Sequence, residues 1–417
     1  MINNRLIVEP ATFKDFLDRR DVGSDYNETH VLQSHTLTHV STILQSLDPQ
    51  TMSAMTIDLN AVAKNYHTLK KDINNENVVL AAVVKANAYG FGMIPVGKKL
   101  HQEGCRHFFV ATVTEGIELR KHVGNDSKIF VLCGLLAGCE QTLMDNQLIP
   151  VLNSMYQVGL CTEYSQKIGK KLEAAIHVDT GMCRNGISMT EVDKYSKEIS
   201  RNIALQLVVS HLACSDTPDH DLNKLQLKKF KYALGAFGNI KGSFSATNGI
   251  FLGEEYLFDM VRLGKSLYGF SIREDMVGSL EPVMDIFARI VQINEIDAGD
   301  TIGYGATFTA TRKMTTATVG IGYADGFMRK FSSFGNGFIG GMKVPMVGRI
   351  SMDYMVFDVT DVDNSFLKEG NWVALTRTPD YTLEKWALEL GTLPHEVACR
   401  FGDRVKRVYI GGVCDPT

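Results

Sequence analysis

A lysine follows a short apolar run in the stretch VVKANAYGFG, residues 83–92. An ammonium group buried without a partner is unfavourable, so Lys85 must lie at the open end of a strand or have a chemical use. A lysine whose surroundings lower its pKa serves as a nucleophile and as a base. The stretch therefore predicts either a side chain extending from a strand end or a reactive amine, and the surrounding elements must decide between them.

Eight short apolar runs recur before residue 280 and mostly alternate with stretches of helical period, such as residues 222–234. This alternation is typical of parallel strands with crossover helices in an α/β fold. The runs are 79–84, 108–111, 129–132, 149–152, 174–178, 205–209, 243–246 and 261–263. Eight units predict a closed (β/α)8 barrel of the TIM type, with an open doubly wound sheet as the competing architecture. Because loops at the carboxyl ends of barrel strands carry the chemistry, Lys85 is expected at the barrel mouth.

The pattern of apolar residues changes after about residue 280. Segments such as ARIVQINEI and MKVPMVGRISMDYMVFDV alternate with a two-residue period and are joined by turn signals, which is typical of antiparallel strands. We expect an N-terminal extension of unknown role at 1–52, a barrel at 53–280 and a mainly antiparallel, β-rich C-terminal domain at 281–417.

The composition is that of an ordinary water-soluble protein. Of the 417 residues, 45% are hydrophobic and 22% are charged, and the net charge is −4. This balance does not suggest nucleic acid or a membrane surface as a partner. No apolar run approaches the roughly 20 residues of a spanning helix, and the N-terminus lacks the apolar core of a secretory signal, so we expect a cytoplasmic protein. The eight cysteines are scattered through apolar stretches and have no C-x-x-C spacing, which predicts buried free thiols.

Two short patterns imitate known binding motifs. Gly335, Gly337 and Gly340 match G-x-G-x-x-G, but KVPMVG comes after them where a helix is needed, so we predict a hairpin turn. His35 and His39 have the spacing of metal ligands without the intervening glutamate or a third ligand, so we predict a solvated helix face. No metal site is predicted.

Seven motifs occur in order across the chain: VVKANAYGFG, VDTGMCRNG, VVSHLA, VRLGKSLYG, GYGATFTA, GYADG and GRISMD. Together they resemble the alanine racemase family, fold-type III enzymes that use pyridoxal 5′-phosphate (PLP), and the likeness extends from about residue 54 to the C-terminus. One such motif is weak evidence, whereas seven in order within an independently predicted barrel plus β domain are specific. The resemblance implies a racemase that interconverts L-alanine and D-alanine and supplies D-alanine for peptidoglycan.

The resemblance also implies how PLP is held. Lys85 is expected to form the covalent link to the cofactor. Its phosphate is expected to contact the hydroxyls of Tyr89 and Thr247 and the backbone N–H groups of Gly264 and Lys265, where a TIM barrel places its phosphate site. Thr247 stands where serine is common and keeps the hydroxyl. Lys265 stands where an apolar residue is usual, which leaves a backbone contact unaffected.

Racemisation needs one acid/base group on each face of Cα. The resemblance assigns Lys85 to one face and Tyr304, from the partner subunit of a head-to-tail homodimer, to the other. It places Arg262 at the pyridine nitrogen, where a guanidinium donates a hydrogen bond but hardly surrenders its proton. The ring is then a weaker electron sink than in PLP enzymes with a carboxylate there, which favours return of a proton to Cα. His211 is expected between Tyr304 and Arg262.

Substrate recognition is expected to use a small pocket with a partner for the carboxylate. The resemblance implies that Arg184 and the backbone of Met352 bind the carboxylate, and that Tyr323 closes the pocket from the other subunit. These bulky groups leave room for little beyond a methyl side chain, so alanine is the expected substrate.

Three further positions depart from the family pattern. His177 stands where many members carry a carbamylated lysine whose negative charge orients the neighbouring arginine, so another group must hold Arg184. Phe91 replaces a histidine and removes a polar contact. Asp403 aligns with a phosphate-binding tyrosine of some members, and its carboxylate would repel a phosphate unless it is turned away.

Two rival functions remain open on the sequence. A broader amino-acid racemase that accepts serine or lysine is suggested by His177. A barrel-plus-β decarboxylase of the same fold type needs a cysteine acid in the β domain, within a motif that the sequence does not contain, since Cys399 and Cys414 lie near the C-terminus.

Overall fold

The computed structural model describes residues 40, 42–238, 240–271, 279–378 and 381–411. The chain forms two compact units. The barrel unit contains Leu59–Val283, and the β unit contains the residues up to Asp58 together with Met284–Ile410. His35 and His39, with the helix face predicted for them, lie outside the described residues. In the described part of the chain, no helix is both long and apolar enough to cross a membrane.

Eight parallel strands form the near-closed barrel that the sequence predicts. In chain order they are β2 (Val79–Val83), β3 (His107–Val110), β4 (Lys128–Val131), β5 (Leu148–Leu152), β6 (Glu173–His177), β7 (Ala204–Val209), β8 (Gly242–Ser243) and β9 (Met260–Leu263). Each pairs in parallel with its neighbours in the order β8-β7-β6-β5-β4-β3-β2-β9. Side-chain and backbone bonds close the remaining gap, because Ser243 Oγ donates to Met260 O and Arg262 N donates to Ser245 O.

Helices connect the barrel strands. They are α1 (Leu59–Ile73), α2 (Met93–Gln102), α3 (Val113–Arg120), α4 (Glu140–Asp145), α5 (Met155–Ile168), α6 (Met189–Asn202) and α7 (Asp221–Ala236). Capping boxes start α3 and α6, where Thr112 and Ser188 each pair with a glutamate three residues later. Buried side chains of the barrel strands pack against one another in the core, where the rings of Phe109 on β3 and Phe130 on the neighbouring strand β4 stack with centres 4.7 Å apart.

The β unit is built around one long strand, β10 (Met284–Ile296), which pairs antiparallel with three others. The strands of this unit also include β1 (Ser53–Asp58), β11 (Thr301–Ile302), β12 (Phe308–Thr309), β13 (Met314–Val319), β14 (Asn336–Ile339), β15 (Met342–Pro345), β16 (Met355–Asp358), β17 (Trp372–Ala374) and β18 (Lys406–Ile410). Two short helices, α8 (Leu383–Leu390) and α9 (Pro394–Ala398), follow β17. The second domain is thus mainly antiparallel, as its two-residue period predicts.

The first strand does not belong to the barrel. The predicted barrel segment begins at residue 53, but β1 pairs antiparallel with β10 and in parallel with β18. The physical reason is that β1 is apolar and buried: Ala54, Met55 and Ile57 are almost fully inaccessible in the middle of this sheet. The change of unit therefore falls at Asp58, before α1.

The glycine-rich stretch at 335–341 forms the predicted hairpin. Strands β14 and β15 pair antiparallel, and the turn between them places Gly340 and Gly341 at φ values of 55° and 82°. Two consecutive residues with positive φ give the tight turn that matches the twist of a hairpin. The strand β15, rather than a helix, comes directly after this motif, so the motif has no dinucleotide-binding geometry.

The end of the N-terminal extension packs on the β unit. Residues 42–46 form a helical turn in which Leu44 is buried. Trp372 Nε1 donates to Leu44 O at 3.2 Å, and Arg289 Nε donates to Thr51 O at 2.8 Å. The Arg289 guanidinium lies 4.3 Å from the Trp372 ring centre, a cation–π contact. This segment is therefore part of the folded unit.

Candidate active site

Lys85 lies directly beyond the carboxyl end of β2, at the start of an unusual turn. The four residues after it have φ values between 53° and 56°, although none of them is glycine. Left-handed backbone costs roughly 1–2 kcal/mol per non-glycine residue, so the surroundings must hold it. Glu115 Oε1 accepts from Ala86 N at 2.7 Å, and Asn87 Oδ1 accepts from Met93 N at 2.8 Å. Strain is thus concentrated next to the predicted reactive amine.

Three predicted phosphate contacts converge beside this turn. Gly264 N donates to Thr247 Oγ1 at 3.2 Å, and Thr247 is buried. A Cβ atom added to Gly264 would lie 2.9 Å from the Tyr89 hydroxyl oxygen, so only glycine leaves this space open. Lys265 is the partly buried next residue, and the Ser266 hydroxyl is buried without a hydrogen-bond partner among the described residues. These donors suit the phosphate of PLP.

A buried arginine lies across the carboxyl ends of β7, β8 and β9. Arg262 is 5% exposed, and its guanidinium donates to Ser243 O, Ser243 Oγ, Ser210 O and Phe244 O at 2.6–3.2 Å. It also donates to His211 Nδ1 at 3.1 Å. Burial lowers the pKa of Arg262 to about 10, which leaves it charged at neutral pH. No carboxylate is among its partners in the described chain, so its charge is available to a ligand.

The bond from Arg262 fixes the state of the His211 ring. A guanidinium can only donate, so Nδ1 of His211 must accept and any proton of the neutral ring lies on Nε2. Burial, reinforced by the positive charge of Arg262, lowers the pKa of His211 to about 3. His211 is therefore a neutral ring whose Nε2–H is a hydrogen-bond donor.

His177 has the opposite tautomer. Its Nδ1 lies 2.8 Å from Asn153 Oδ1. The Asn153 amide donates to Leu132 O and Val151 O, both at 2.8 Å, so its oxygen faces His177 and the ring donates through Nδ1–H. Burial, with nearby arginines, lowers the pKa of His177 to about 4. The position at which many family members carry a negatively charged, carbamylated lysine is thus occupied by a neutral histidine ring with an acceptor at Nε2.

Hydrogen bonds to its backbone N–H groups hold the loop of Arg184 in place. Asp179 Oδ1 accepts from three successive N–H groups at 181–183, and Gly186 N donates to Asn153 O at 3.1 Å. Gly186 has a φ of 110°, and a Cβ there would lie 2.6 Å from Asp179 N. The Arg184 side chain is exposed and donates no hydrogen bond within the described chain. The loop therefore presents an uncommitted guanidinium that can pair with a carboxylate.

Phe91 fills its position by packing. It is 1% exposed and stacks on Tyr268 with ring centres 5.0 Å apart and planes 3° from parallel. Tyr268 also contacts the Tyr89 ring at 5.0 Å and donates its hydroxyl to Val83 O. Phe91, the apolar replacement in the motif, thus supports Tyr89, the tyrosine predicted to contact the phosphate, through a stack of rings.

The remaining predicted site residues lie in the β unit, where they are exposed. Tyr304, Tyr323 and Met352 have exposed fractions of 69%, 42% and 53%. A Cβ added at Gly305 would lie 2.8 Å from Arg349 Nη1, so the Tyr304 loop adjoins the loop that leads to Met352. Asp403, also in this unit, is exposed and lines a cleft of about 590 Å³.

Two of these loops are joined through their backbones. Tyr323 N donates to Ser351 O at 3.1 Å, and Ala324 N donates to Met352 O at 3.0 Å. A Cβ at Gly322 would lie 2.4 Å from Met352 O, so this approach requires glycine. Met352 N donates to no acceptor in the described part of the chain, which leaves it available for a ligand.

Sequence reasoning misses several residues that build the site. Glu115, Asn153 and Ser243 hold the Lys85 turn, His177 and Arg262, respectively. Only Glu115 carries a sequence signal, the capping box T-V-T-E at 112–115. The chain positions described include no cluster of three or more His, Cys, Asp or Glu that could hold a metal ion.

Comparison with known proteins agrees with this geometry. Family models described as alanine racemase, N-terminal domain, and alanine racemase, C-terminal domain, match residues 57–272 and 283–409. The alanine racemase of Rhodospirillum rubrum is 40% identical over 361 residues, 86% of this chain and 96% of that protein. The biosynthetic alanine racemase of Agrobacterium fabrum is 38% identical, over 85% of this chain and 93% of that protein.

Solved structures give the same result. The crystal structure of alanine racemase from Bartonella henselae, with covalently bound pyridoxal phosphate, superimposes with a TM-score of 0.81. The two sequences are 38% identical, and the match covers 86% of this chain and 99% of that chain.

Proposed function

The chain belongs to the alanine racemase family, and on this premise we propose that it interconverts L- and D-alanine by two opposed acid/base groups, Lys85 and Tyr304. The family is PLP-dependent. Bound PLP supplies the electron-withdrawing system that makes the Cα–H bond of an amino acid acidic. The observation that carries the proposal is Arg262, a buried cation with no carboxylate partner among the described residues, bonded to a neutral His211.

The barrel residues bind and orient the cofactor in this proposal. Tyr89, Thr247, Gly264 and Lys265 would hold its phosphate, and Lys85 would hold it covalently. Arg262 donates a hydrogen bond to the pyridine nitrogen and keeps its own proton, since the guanidinium stays charged at neutral pH. With Arg262 retaining its proton, bound PLP would be a weaker electron sink, which would favour return of a proton to Cα over transamination.

Lys85 exchanges a proton with one face of Cα, and Tyr304 exchanges one with the opposite face. The proton on Nε2 of His211 supports this assignment, because an N–H donor stabilises a phenolate oxygen. A hydrogen-bonded chain would then run from Tyr304 through His211 to Arg262, the residue that would donate to the ring nitrogen.

Arg184 and the N–H group of Met352 bind the substrate carboxylate, and Tyr323 limits the side chain to about a methyl group. The broader racemase that accepts serine or lysine is not favoured, since relatives at 36–40% identity are named alanine racemases. Turnover of alanine should exceed that of serine and lysine, and faster turnover of lysine would overturn this assignment.

The active form in this proposal is a head-to-tail homodimer in which each site takes Tyr304, Tyr323 and Met352 from the partner subunit. The exposure of these side chains supports it, because large apolar groups exposed together mark interaction surfaces. The physiological role that we propose is supply of D-alanine for peptidoglycan in the cytoplasm. The test of this role is whether expression of the chain lets a D-alanine auxotroph grow without added D-alanine.

Chiral chromatography of alanine incubated with the purified protein tests the activity. We expect either enantiomer to reach an equal mixture, and we expect a yellow protein. Lys85→Ala should lose both the colour and the racemisation, because no other amine is assigned to hold the cofactor. Absence of racemisation by the wild-type, PLP-loaded protein would refute the proposed function.

A further inference from the structure

An arginine outside all seven motifs joins the loops that carry Tyr323 and Met352. Arg404 Nε lies 3.0 Å from Asp325 Oδ1, and Arg404 Nη2 lies 2.8 Å from Asp353 Oδ1. Asp325 is two residues after Tyr323, and Asp353 directly follows Met352. We call this arrangement the Asp325–Arg404–Asp353 bridge.

The two carboxylates of the bridge differ in environment. Asp325 has a side chain that is 3% exposed, and its second oxygen accepts from Gly322 N at 2.7 Å. Burial, with the neighbouring negative charge of Asp353, raises the pKa of Asp325 above its usual range in spite of Arg404. Asp353 is 42% exposed. Without the Arg404 guanidinium, the buried Asp325 carboxylate would keep only the Gly322 N–H as a donor and would lie near the negative charge of Asp353.

The loop that carries Arg404 is itself anchored on the Tyr323 loop. Gly402 N donates to Asp325 O at 3.3 Å, and a Cβ at Gly326 would lie 2.6 Å from Arg400 O. Together with the backbone bonds between residues 323–324 and 351–352, these contacts tie three loops together. The guanidinium provides their side-chain connection, and its planar fork sets the separation of the two carboxylates.

We propose that Arg404 is a positioning residue, which holds Tyr323 and the N–H group of Met352 at the separation that accepts the carboxylate and the small side chain of alanine. The inference rests on the proposed function, since it assigns Arg404 to the same substrate site. Arg404 touches neither substrate nor cofactor in this account. It acts through Asp325 and Asp353 on the loops that do.

The test is steady-state kinetics of the full-length, PLP-loaded Arg404→Met variant with alanine and with serine. We expect KM for alanine to rise roughly 10- to 100-fold, since small displacements of positioning groups cost about that much, while kcat changes less. The preference for alanine over serine should fall, because the pocket wall is released. Arg404→Lys should recover only part of the loss, as one ammonium cannot pair with both carboxylates in the geometry of the fork.

Arg312→Met is the matched control. Arg312 also pairs with two carboxylates of the β unit, Asp358 and Asp361, and is 49% exposed against 55% for Arg404. We expect its kinetic constants and substrate preference to stay at wild-type values. An equal KM change in Arg312→Met would show a general structural effect and overturn the inference.

Asp353→Asn keeps the test valid if Arg404→Met does not fold, because it weakens the bridge at its exposed end. It should show the same rise in KM and the same loss of preference. Wild-type KM, kcat and preference in the folded variants would overturn the inference, provided that the wild type racemises alanine. A wild type that does not racemise alanine would instead refute the proposed function.

Discussion

At the scale of single residues, hydrogen-bond donors and acceptors fix the chemistry of the barrel mouth. Arg262 makes His211 an acceptor at Nδ1, and Asn153 makes His177 a donor at Nδ1. Both rings are neutral, because burial lowers their pKa values to about 3 and about 4. The positive charge that acts on His211 therefore comes from Arg262, Arg184 and Lys85 rather than from a protonated histidine.

A buried carboxyl group in the β unit should make stability depend on pH. Asp285 accepts from the hydroxyls of Thr376 and Thr378, and burial raises its pKa from 3.8 to about 6. As pH rises from about 4 to about 6, the Asp285 carboxyl group loses its proton in the unfolded chain before it does so in the folded protein. The free energy of unfolding therefore falls over this pH range. The stability of Asp285→Asn relative to the wild type should therefore increase as pH rises from 4 to 7.

Melting temperatures of both proteins across this range measure the effect. The control is Asp361→Asn, at a carboxylate whose side chain is 84% exposed, which should change little with pH relative to the wild type. A constant difference between Asp285→Asn and the wild type from pH 4 to pH 7 would contradict the account.

At the scale of elements, the sequence predicts local pattern better than pairing. The eight barrel strands and the hairpin at 335–341 are read correctly, because each depends on neighbouring residues. The strand β1 is assigned to the barrel segment, but its partners β10 and β18 lie more than 200 residues away, where no local pattern reveals them. Arg404 and Asn153 are missed for the same reason, since their roles arise from contacts between distant loops.

The N-terminal extension gives a prediction at this scale. Leu44 is 1% exposed beside Trp372, so Leu44→Ala should lower the unfolding free energy of the β unit by roughly 2–5 kcal/mol. Urea unfolding followed by tryptophan fluorescence measures it, as both tryptophans, Trp372 and Trp386, lie in this unit. The exposed neighbour Gln45→Ala is the control and should change stability little. Equal stability of Leu44→Ala and the wild type would show that this segment contributes nothing.

At the scale of the whole molecule, the predicted site residues fall into two groups on two units. Seven motifs predict both groups from the sequence, because each motif keeps its residue types at fixed spacing. The sequence and a single chain do not specify the assembly that brings the groups together. Mixed dimers test the proposed head-to-tail dimer.

Lys85→Ala and Tyr304→Phe should complement each other when co-expressed as tagged, separable chains. A mixed dimer contains one site with both defects and one site with both native residues, if each site takes Lys85 and Tyr304 from different subunits. We expect the purified heterodimer to recover about half of the wild-type activity, whereas each homodimer stays inactive. An inactive heterodimer would indicate that both residues come from one subunit.

The most direct measurement of the two-base assignment is alanine racemisation and solvent-deuterium exchange by Tyr304→Phe. We expect racemisation to fall by orders of magnitude while PLP stays bound, and exchange at Cα to persist for one enantiomer only, because Lys85 still serves its own face. Full activity of Tyr304→Phe in both directions would contradict the account.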